Sequence, residues 1–414
     1  MQQLQQVHSI EESRQAFLPH LKPVNRTEFV PLLSALGRVL AAVVVSPEPL
    51  PCFARSTMDG YAVRSRETAG ASESLPALLE IQDETLIGDS PKHPLRAGAA
   101  APIATGAALP EGADAVVMVE YSEQFDSRTV AICRPVAMHE NVLRPGEDIP
   151  LGTTLFQPER LLSPGDLGAL AALGILRVQV FCRPRVAVFA TGNELVPSER
   201  MPSLGQVRDI NSYTLAGQIS RLGAEPSLLG ILPDDEETIY RALVDALQNF
   251  DLIVLSGGSS LGTYDLSERV LNRLGEPGVL VHGLAMKPGK PTLLAVIGNI
   301  GCIGFPGHPL SALMTGEVLL PEIISLLARR PRPIRRVVSA VLSRSVASLV
   351  GRTEFIQIRL ECKDDVHLAI PIQSKSAIIS AVTKADGYMV LEQGSEGRAA
   401  GEQVLVHLWG EIHG

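Results

Sequence analysis

The 414-residue sequence has no pair of cysteines at ligand or redox spacing. Cys52, Cys133, Cys182, Cys302 and Cys362 are scattered and odd in number. That excludes a disulfide framework and a structural zinc knuckle, and it fits a reducing compartment. No run approaches the roughly 18 apolar residues of a membrane span, and the polar, Gln-rich start has no apolar signal core, so the expectation is a cytoplasmic protein. Positive charge is also short. The net charge of −9 and a pI near 5.6 argue against nucleic acid or anionic membrane as partners, so an anionic ligand needs a local basic pocket. No Walker loop, G-x-S-x-G elbow or H-E-x-x-H helix is present, which disfavours P-loop ATPases, serine hydrolases and zinc proteases.

What is present is a folded composition, 45% apolar with a mean hydropathy of +0.18, in a chain long enough for about three or four domains. Residues 8–22 carry helical spacing. Thr27 is read as the N-cap of a second helix with a stripe of Leu32, Leu33, Leu36, Val39 and Leu40. Asp59-Gly60 marks a turn into short strands such as Ala77–Ile81, Ala115–Glu120 and Thr129–Cys133, a small β domain. Ser163-Pro164 starts a capped helix running to Gly174.

From Ala187 to His308 apolar strands alternate with helical segments, the pattern of a parallel sheet with ligands at the strand ends. The turns Thr191–Glu194, Pro233–Asp235, Ser256–Ser260, Lys287–Lys290 and Phe305–His308 are therefore expected to converge on one crevice. Arg329–Arg336 reads as a solvated, proline-stiffened hinge, and the alternating strands beyond it as a small β-barrel.

The turns suggest a chemistry. Backbone amides of the Ser256-Gly257-Gly258-Ser259-Ser260 turn can face a phosphate. Glu194, Asp234 and Asp265 are hard oxygen donors suited to Mg2+ bridging phosphate oxygens, although Asp234 is equally explained as a helix N-cap opening a capping box with Glu237. Lys287 and Lys290 flank Pro288-Gly289 and can present two ammonium groups to one oxyanion, and His308 reads as a cap or polar loop residue. From the residues alone this is a phosphate- and oxyanion-binding α/β domain in a multidomain chain, its substrate unnamed.

Taken together, Ser56–Val63, Thr105-Gly106 with Pro110–Val117, Arg144–Ile149, Thr191–Leu195, Ser256–Gly258, Lys287–Pro291 and Pro306–Pro309 resemble, in order, the molybdopterin molybdenumtransferase (MoeA) family, which includes the gephyrin E domain. The resemblance implies a multidomain fold of class α/β plus β. A doubly wound molybdopterin-binding α/β domain (181–328) would be joined by a discontinuous helical linker domain (1–50 and 140–180), an inserted β domain (51–139) and a C-terminal β-barrel-like domain (329–414). It implies a homodimer and a reaction in which molybdate enters adenylylated molybdopterin with release of AMP and the help of Mg2+. Molybdopterin adenylyltransferase and apo-molybdoenzymes are the implied protein partners.

By the same resemblance Asp59, Asp234, Lys287 and Lys290 are catalytic, and Glu194, Asp234 and Asp265 hold the metal. Thr105, Asp148, Ser256, Gly257, Gly258, Ser259, Pro306, Gly307, Arg352 and Ser376 would bind the substrates, with Asp59, Thr105 and Asp148 reaching the site from the β and linker domains across the dimer. Three departures stand out: Asn193 where the family has Asp, His308 where it has Asn, and small residues after Gly258. Two other readings stay open, a molybdopterin-binding scaffold without turnover and an adenylyltransferase.

Overall fold

The computed structural model describes residues 7–257, 261–363, 366–372 and 376–409, the side chains of 261–265 excepted. The chain divides into two compact units. One comprises Phe29–Leu36 and Leu40–Gln179; the other comprises Met1–Glu28, Gly37–Val39 and Val180–Gly414.

The first unit is built on a six-stranded half-barrel. In spatial order its strands are Ala115–Met118, Gly60–Val63, Ala99–Ile103, Ala77–Ile81, Thr129–Ile132 and Ser122–Gln124. Small side chains fill its interior, among them Ala62, Ala99, Ala101, Ala115 and Val116. Gly60 opens the Gly60–Val63 strand because a Cβ there would collide with the Val117 carbonyl of the neighbouring strand. Helix α2, Pro164–Ala172, begins at Ser163, whose hydroxyl and the Asp166 carboxylate cap each other's backbone, and Gly174 follows its end at φ +67°.

The second helix expected from Thr27 does not form. Thr27–Pro31 is a strand and Leu32–Ala35 a single 3-10 turn. Phe29 and Val30 favour extended backbone, Pro31 offers no amide, and Gly37 reverses the chain at φ +67°. The supposed apolar stripe is not one, since Leu33 is 86% and Leu36 50% exposed.

In the second unit a six-stranded sheet runs Glu225–Leu232, Arg185–Thr191, Leu252–Gly257, Ile300–Phe305, Leu293–Ile297, Pro277–His282. The first four strands are parallel. Leu293–Ile297 runs antiparallel to both of its neighbours, which corrects the parallel expectation. Gly298-Asn299 is a two-residue hairpin, with Ile297 opposite Ile300 and Gly298 at φ +64°, and so short a link cannot make a parallel crossover. Alternate residues of the strand Arg185–Thr191 serve opposite faces. Val186 and Val188 pack under α1 (Ile10–Phe17), α3 (Asn211–Arg221) and α6 (Pro309–Leu327), while Ala187 and Phe189 pack under α4 (Glu236–Asn249) and α5 (Leu261–Leu274). The sheet is therefore covered on both faces, a doubly wound arrangement.

Contrary to the expectation that no segment is long and apolar enough to span a membrane, α6 meets that test by length and composition. Its membrane-length window is 83% buried inside the protein, which marks it as a core helix.

The start of α4 differs by one residue from expectation. Asp235, not Asp234, is the N-cap, its carboxylate accepting the Thr238 amide at 2.8 Å. The arginine run is solvated over 331–334, as expected, but it is fastened and not a free hinge. Arg330 donates to the Leu222 carbonyl at 3.1 Å, Arg332 pairs with Glu322 at 3.6 Å, and Arg335 pairs with Glu317 at 2.7 Å. These contacts fasten the segment to α6 and to the end of α3.

The C-terminal strands Val337–Leu342, Thr353–Lys363, Val366–Pro371, Gly387–Leu391 and Gln403–Leu408 close into a five-stranded barrel, because Thr353–Lys363 pairs with both Val366–Pro371 and Gly387–Leu391. Ala340, Leu342, Ile358, Met389, Leu391 and Val406 fill it. A sixth strand comes from elsewhere in the chain. Met286–Lys287 pairs in parallel with Thr353-Glu354, so the lysine turn hangs on the barrel and not on the α/β sheet.

Candidate functional site

The pairing of Met286–Lys287 with the barrel edge sets Lys287 opposite Glu354. The Glu354 carboxylate is 4% exposed and accepts hydrogen bonds from the Lys287 ammonium and, at 2.7 Å, from the Ser348 hydroxyl. Burial pushes the Glu354 carboxyl upward, but the donors Lys287 and Ser348 and the charge of Arg352 outweigh it, leaving the pKa below the ordinary 4.5. After Lys287 the chain turns through Gly289 at φ +121°, where a Cβ would sit 2.5 Å from Thr315 Oγ1 on α6. Thr292 Oγ1 donates to the Gly289 carbonyl at 2.7 Å and fixes the turn.

This turn forms one wall of a cavity of about 620 Å³ whose polar lining includes Lys287, Lys290, His308, Arg352, Glu354 and Ser376. Three cations against one carboxylate leave an excess of two positive charges. Arg352 Nε is buried without a hydrogen-bond partner, a donor still to be satisfied. His308 heads α6 but makes no side-chain cap; its Nδ1 lies 3.0 Å from Ser376 Oγ instead. Pro306 lines the same cavity, whereas Gly307 offers its carbonyl to Asn211 Nδ2 at 2.8 Å.

The Thr191–Glu194 and Pro233–Asp235 turns border a different depression of about 520 Å³, lined by Gly192, Asn193, Pro233, Asp209, Ser212 and Tyr213 among others. The expected single crevice is therefore two among the described residues, and the reason is the lysine turn's attachment to the barrel. At the second depression Asn193 and Asp234 clasp each other. The Asn193 amide donates to Asp234 Oδ2 at 3.3 Å, and the Asp234 amide donates to Asn193 Oδ1 at 3.2 Å. Freed from capping, Asp234 keeps its other oxygen, Oδ1, buried and without a hydrogen-bond partner. Glu194 is exposed and folds back over Gly192, where a Cβ would lie 2.6 Å from Glu194 Oε2.

Ser256 ends its strand fully buried, with Oγ unpartnered. Gly257 must be glycine, since at φ +143° a Cβ would collide with the Thr191 carbonyl. Gly258, Ser259 and the Asp265 side chain lie outside the described residues. Among the described residues no group of three His, Cys, Asp or Glu side chains is placed to hold a metal.

Asp59, Thr105 and Asp148 belong to the first unit. Asp59 Oδ1 accepts both the Thr105 amide, at 2.7 Å, and the Thr105 hydroxyl, at 3.0 Å, and these bonds hold the exposed Asp59 carboxyl below its ordinary 3.8. Asp148 is exposed, and its amide donates to the Leu50 carbonyl at 3.1 Å. Thr105→Val removes only the hydroxyl bond. The Asp59 pKa, followed by carboxyl NMR titration, is therefore expected to rise toward 3.8 yet stay below it, because the Thr105 amide is the larger cause; an unchanged titration would show that the hydroxyl contributes nothing.

Three regions of the chain match family models: residues 8–174 the MoeA N-terminal region (domain I and II), 187–325 a probable molybdopterin binding domain, and 339–409 the MoeA C-terminal region (domain IV). The chain belongs to the MoeA family. It is 31% identical to a molybdopterin molybdenumtransferase of Haemophilus influenzae, with 98% of this chain and 100% of the relative covered, and 30% identical to that of Bacillus subtilis, with 95% and 93% covered. A crystal structure of a MoeA protein from Pyrococcus horikoshii superposes with a TM-score of 0.83 at 35% identity, covering 98% of this chain and all of the other. The MoeA resemblance of the motifs is thereby borne out, as are the multidomain α/β plus β architecture and a transferase function in molybdenum cofactor biosynthesis.

Glu354 and Ser348 were not singled out in the sequence of this MoeA chain. A signal existed, since Glu354 is the second residue of an apolar strand and is buried in it, and a buried carboxylate requires a partner.

Proposed function

We propose that the chain takes molybdate and adenylylated molybdopterin as substrates, places molybdenum on the dithiolene and releases AMP. One observation carries this reading: a cavity holding Lys287, Lys290 and Arg352 against the single carboxylate of Glu354, an excess of two positive charges that matches a tetrahedral dianion. The Ser376 hydroxyl adds a directional donor. No side-chain nucleophile is required, so the residues act by holding the oxyanion in place and balancing its charge.

Mg2+ is proposed as the metal, and the residues fit it in part. Asp234 Oδ1 is a buried carboxylate oxygen without a partner, and the exposed Glu194, a second hard donor, follows Asn193, the residue that Asp234 clasps. When bound, the metal would supply charge neutralisation at the pyrophosphate; Asp234 and Glu194 would hold it, with Asp265 as the third proposed ligand. Ser256, Gly257, Gly258, Ser259, Pro306 and Gly307 are proposed to contact the pterin phosphate. Asp59, Thr105 and Asp148 are proposed as the contribution of the other subunit of a homodimer, in a cytoplasmic setting with molybdopterin adenylyltransferase and apo-molybdoenzymes as partners.

The test is turnover of adenylylated molybdopterin by the purified chain. AMP release is expected only when molybdate and Mg2+ are both present. Absence of turnover under those conditions would leave the scaffold reading, and consumption of ATP with free molybdopterin and no molybdate would make the chain an adenylyltransferase.

A further inference from the structure

Two bonds tie Ser376 to the start of α6. Its carbonyl accepts the Leu310 amide at 3.1 Å, and its hydroxyl lies 3.0 Å from His308 Nδ1. The first pins the backbone. The second sets which way the hydroxyl proton points, because an oxygen that receives a hydrogen bond from the ring keeps its own proton for another acceptor. His308, Leu310 and Ser376 all line the cavity that also holds the cations Lys287, Lys290 and Arg352 and the carboxylate Glu354. Were Ser376 instead to donate to the ring, only oxygen lone pairs would face a bound oxyanion, an unfavourable arrangement in a cavity otherwise furnished with donors.

We propose that His308 is a positioning residue for oxyanion binding: its Nδ1–H donates to Ser376 Oγ and thereby directs the Ser376 hydroxyl proton into the cavity, toward the bound anion. This rests on the oxyanion reading of the cavity and extends it to His308. The side-chain amide of asparagine can make the same donation, so the two residue types are equivalent in this role, whereas alanine and leucine cannot.

The experiment is a double-mutant cycle on molybdate binding by the full chain, read by titration calorimetry. H308A and S376A are each expected to weaken binding about 10- to 100-fold, the usual size of one hydrogen bond to a charged group, and the double variant no more than either single one. H308N is expected to stay within about twofold of the parent. H308L, close in volume to histidine and unable to donate, takes the place of H308A if the smaller side chain does not fold. Additive losses, parent-like binding by both H308A and H308L, or an H308N as weak as H308A would overturn the inference. A parent chain that binds no molybdate at all would instead sink the oxyanion reading beneath it.

Discussion

Lys287→Ala is expected to lower molybdate-dependent kcat/KM by roughly 100- to 1,000-fold, the scale seen when one charge-stabilising donor is removed from a preorganised site. The same change acts on stability. Glu354, 4% exposed, loses its cation and keeps only the Ser348 hydroxyl and the more distant charge of Arg352. Leaving a buried carboxylate without its main partner costs about 1–3 kcal/mol, the lower part of the range for broken buried pairs, because the Lys287 side chain is itself about half exposed.

The two effects separate in the Lys287→Ala/Glu354→Gln double variant, which should recover stability and not activity. A Lys287→Ala enzyme with an unaltered KM for molybdate would remove Lys287 from the site. The pair also has a pH signature. The folded-state pKa of Glu354 lies below the ordinary 4.5, so its stabilising contribution is complete above pH 4.5 and is lost as the pH falls through that lowered value. In Lys287→Ala the loss should begin at higher pH, measurable as an upward shift of the acid-unfolding midpoint.

Glu317→Ala is expected to be the most damaging single change to stability outside the site. The Glu317 side chain, 4% exposed in the middle of α6, accepts from Gln218 at 2.7 Å and Arg221 at 2.5 Å on α3 and pairs with Arg335 at 2.7 Å just before the barrel. Removing it leaves the buried Gln218 amide with only the Leu313 carbonyl and takes the carboxylate from two guanidiniums, of which Arg335 is the less exposed and costs the most. The expected loss is about 3 kcal/mol, or about 10 °C in the melting temperature of the unit that contains it. Glu317→Gln retains an acceptor for Gln218 and should lose less. A melting temperature within about a degree of the parent for Glu317→Ala would show that the cluster is not structural.

Legibility in the sequence followed how local each signal was. The alternating strands expected beyond the arginine run form, Val337–Leu342 and Gly387–Leu391 among them. The cap of α2 was equally plain, since Ser163, Pro164 and Asp166 are neighbours. The Thr27 helix failed because an apolar stripe at helical spacing outweighed Phe29, Val30 and Pro31, which favour a strand. At α4 two adjacent aspartates competed for one cap, and Asp235 prevailed.

Within the site, Lys287 and Lys290 were legible as cations flanking a turn and Arg352 only through the family resemblance, and one cavity is lined by all three. The Lys287–Glu354 pair was not legible, because it joins groups 67 residues apart through a strand contributed by one domain to the sheet of another. The Asn193–Asp234 clasp spans 41 residues and depends on two parallel strands ending side by side.

The strand Met286–Lys287 also settles which parts of the chain move together. Because it is stitched to the edge of the barrel, Lys287 and Glu354 share one sheet, with Arg352 just before its strand, although the sequence separates them by more than an entire helix. A truncation after residue 328, which looks like a clean cut between modules, would leave Lys287 without the strand that aims it and without Glu354. The truncated chain is expected to lose its grip on the anion.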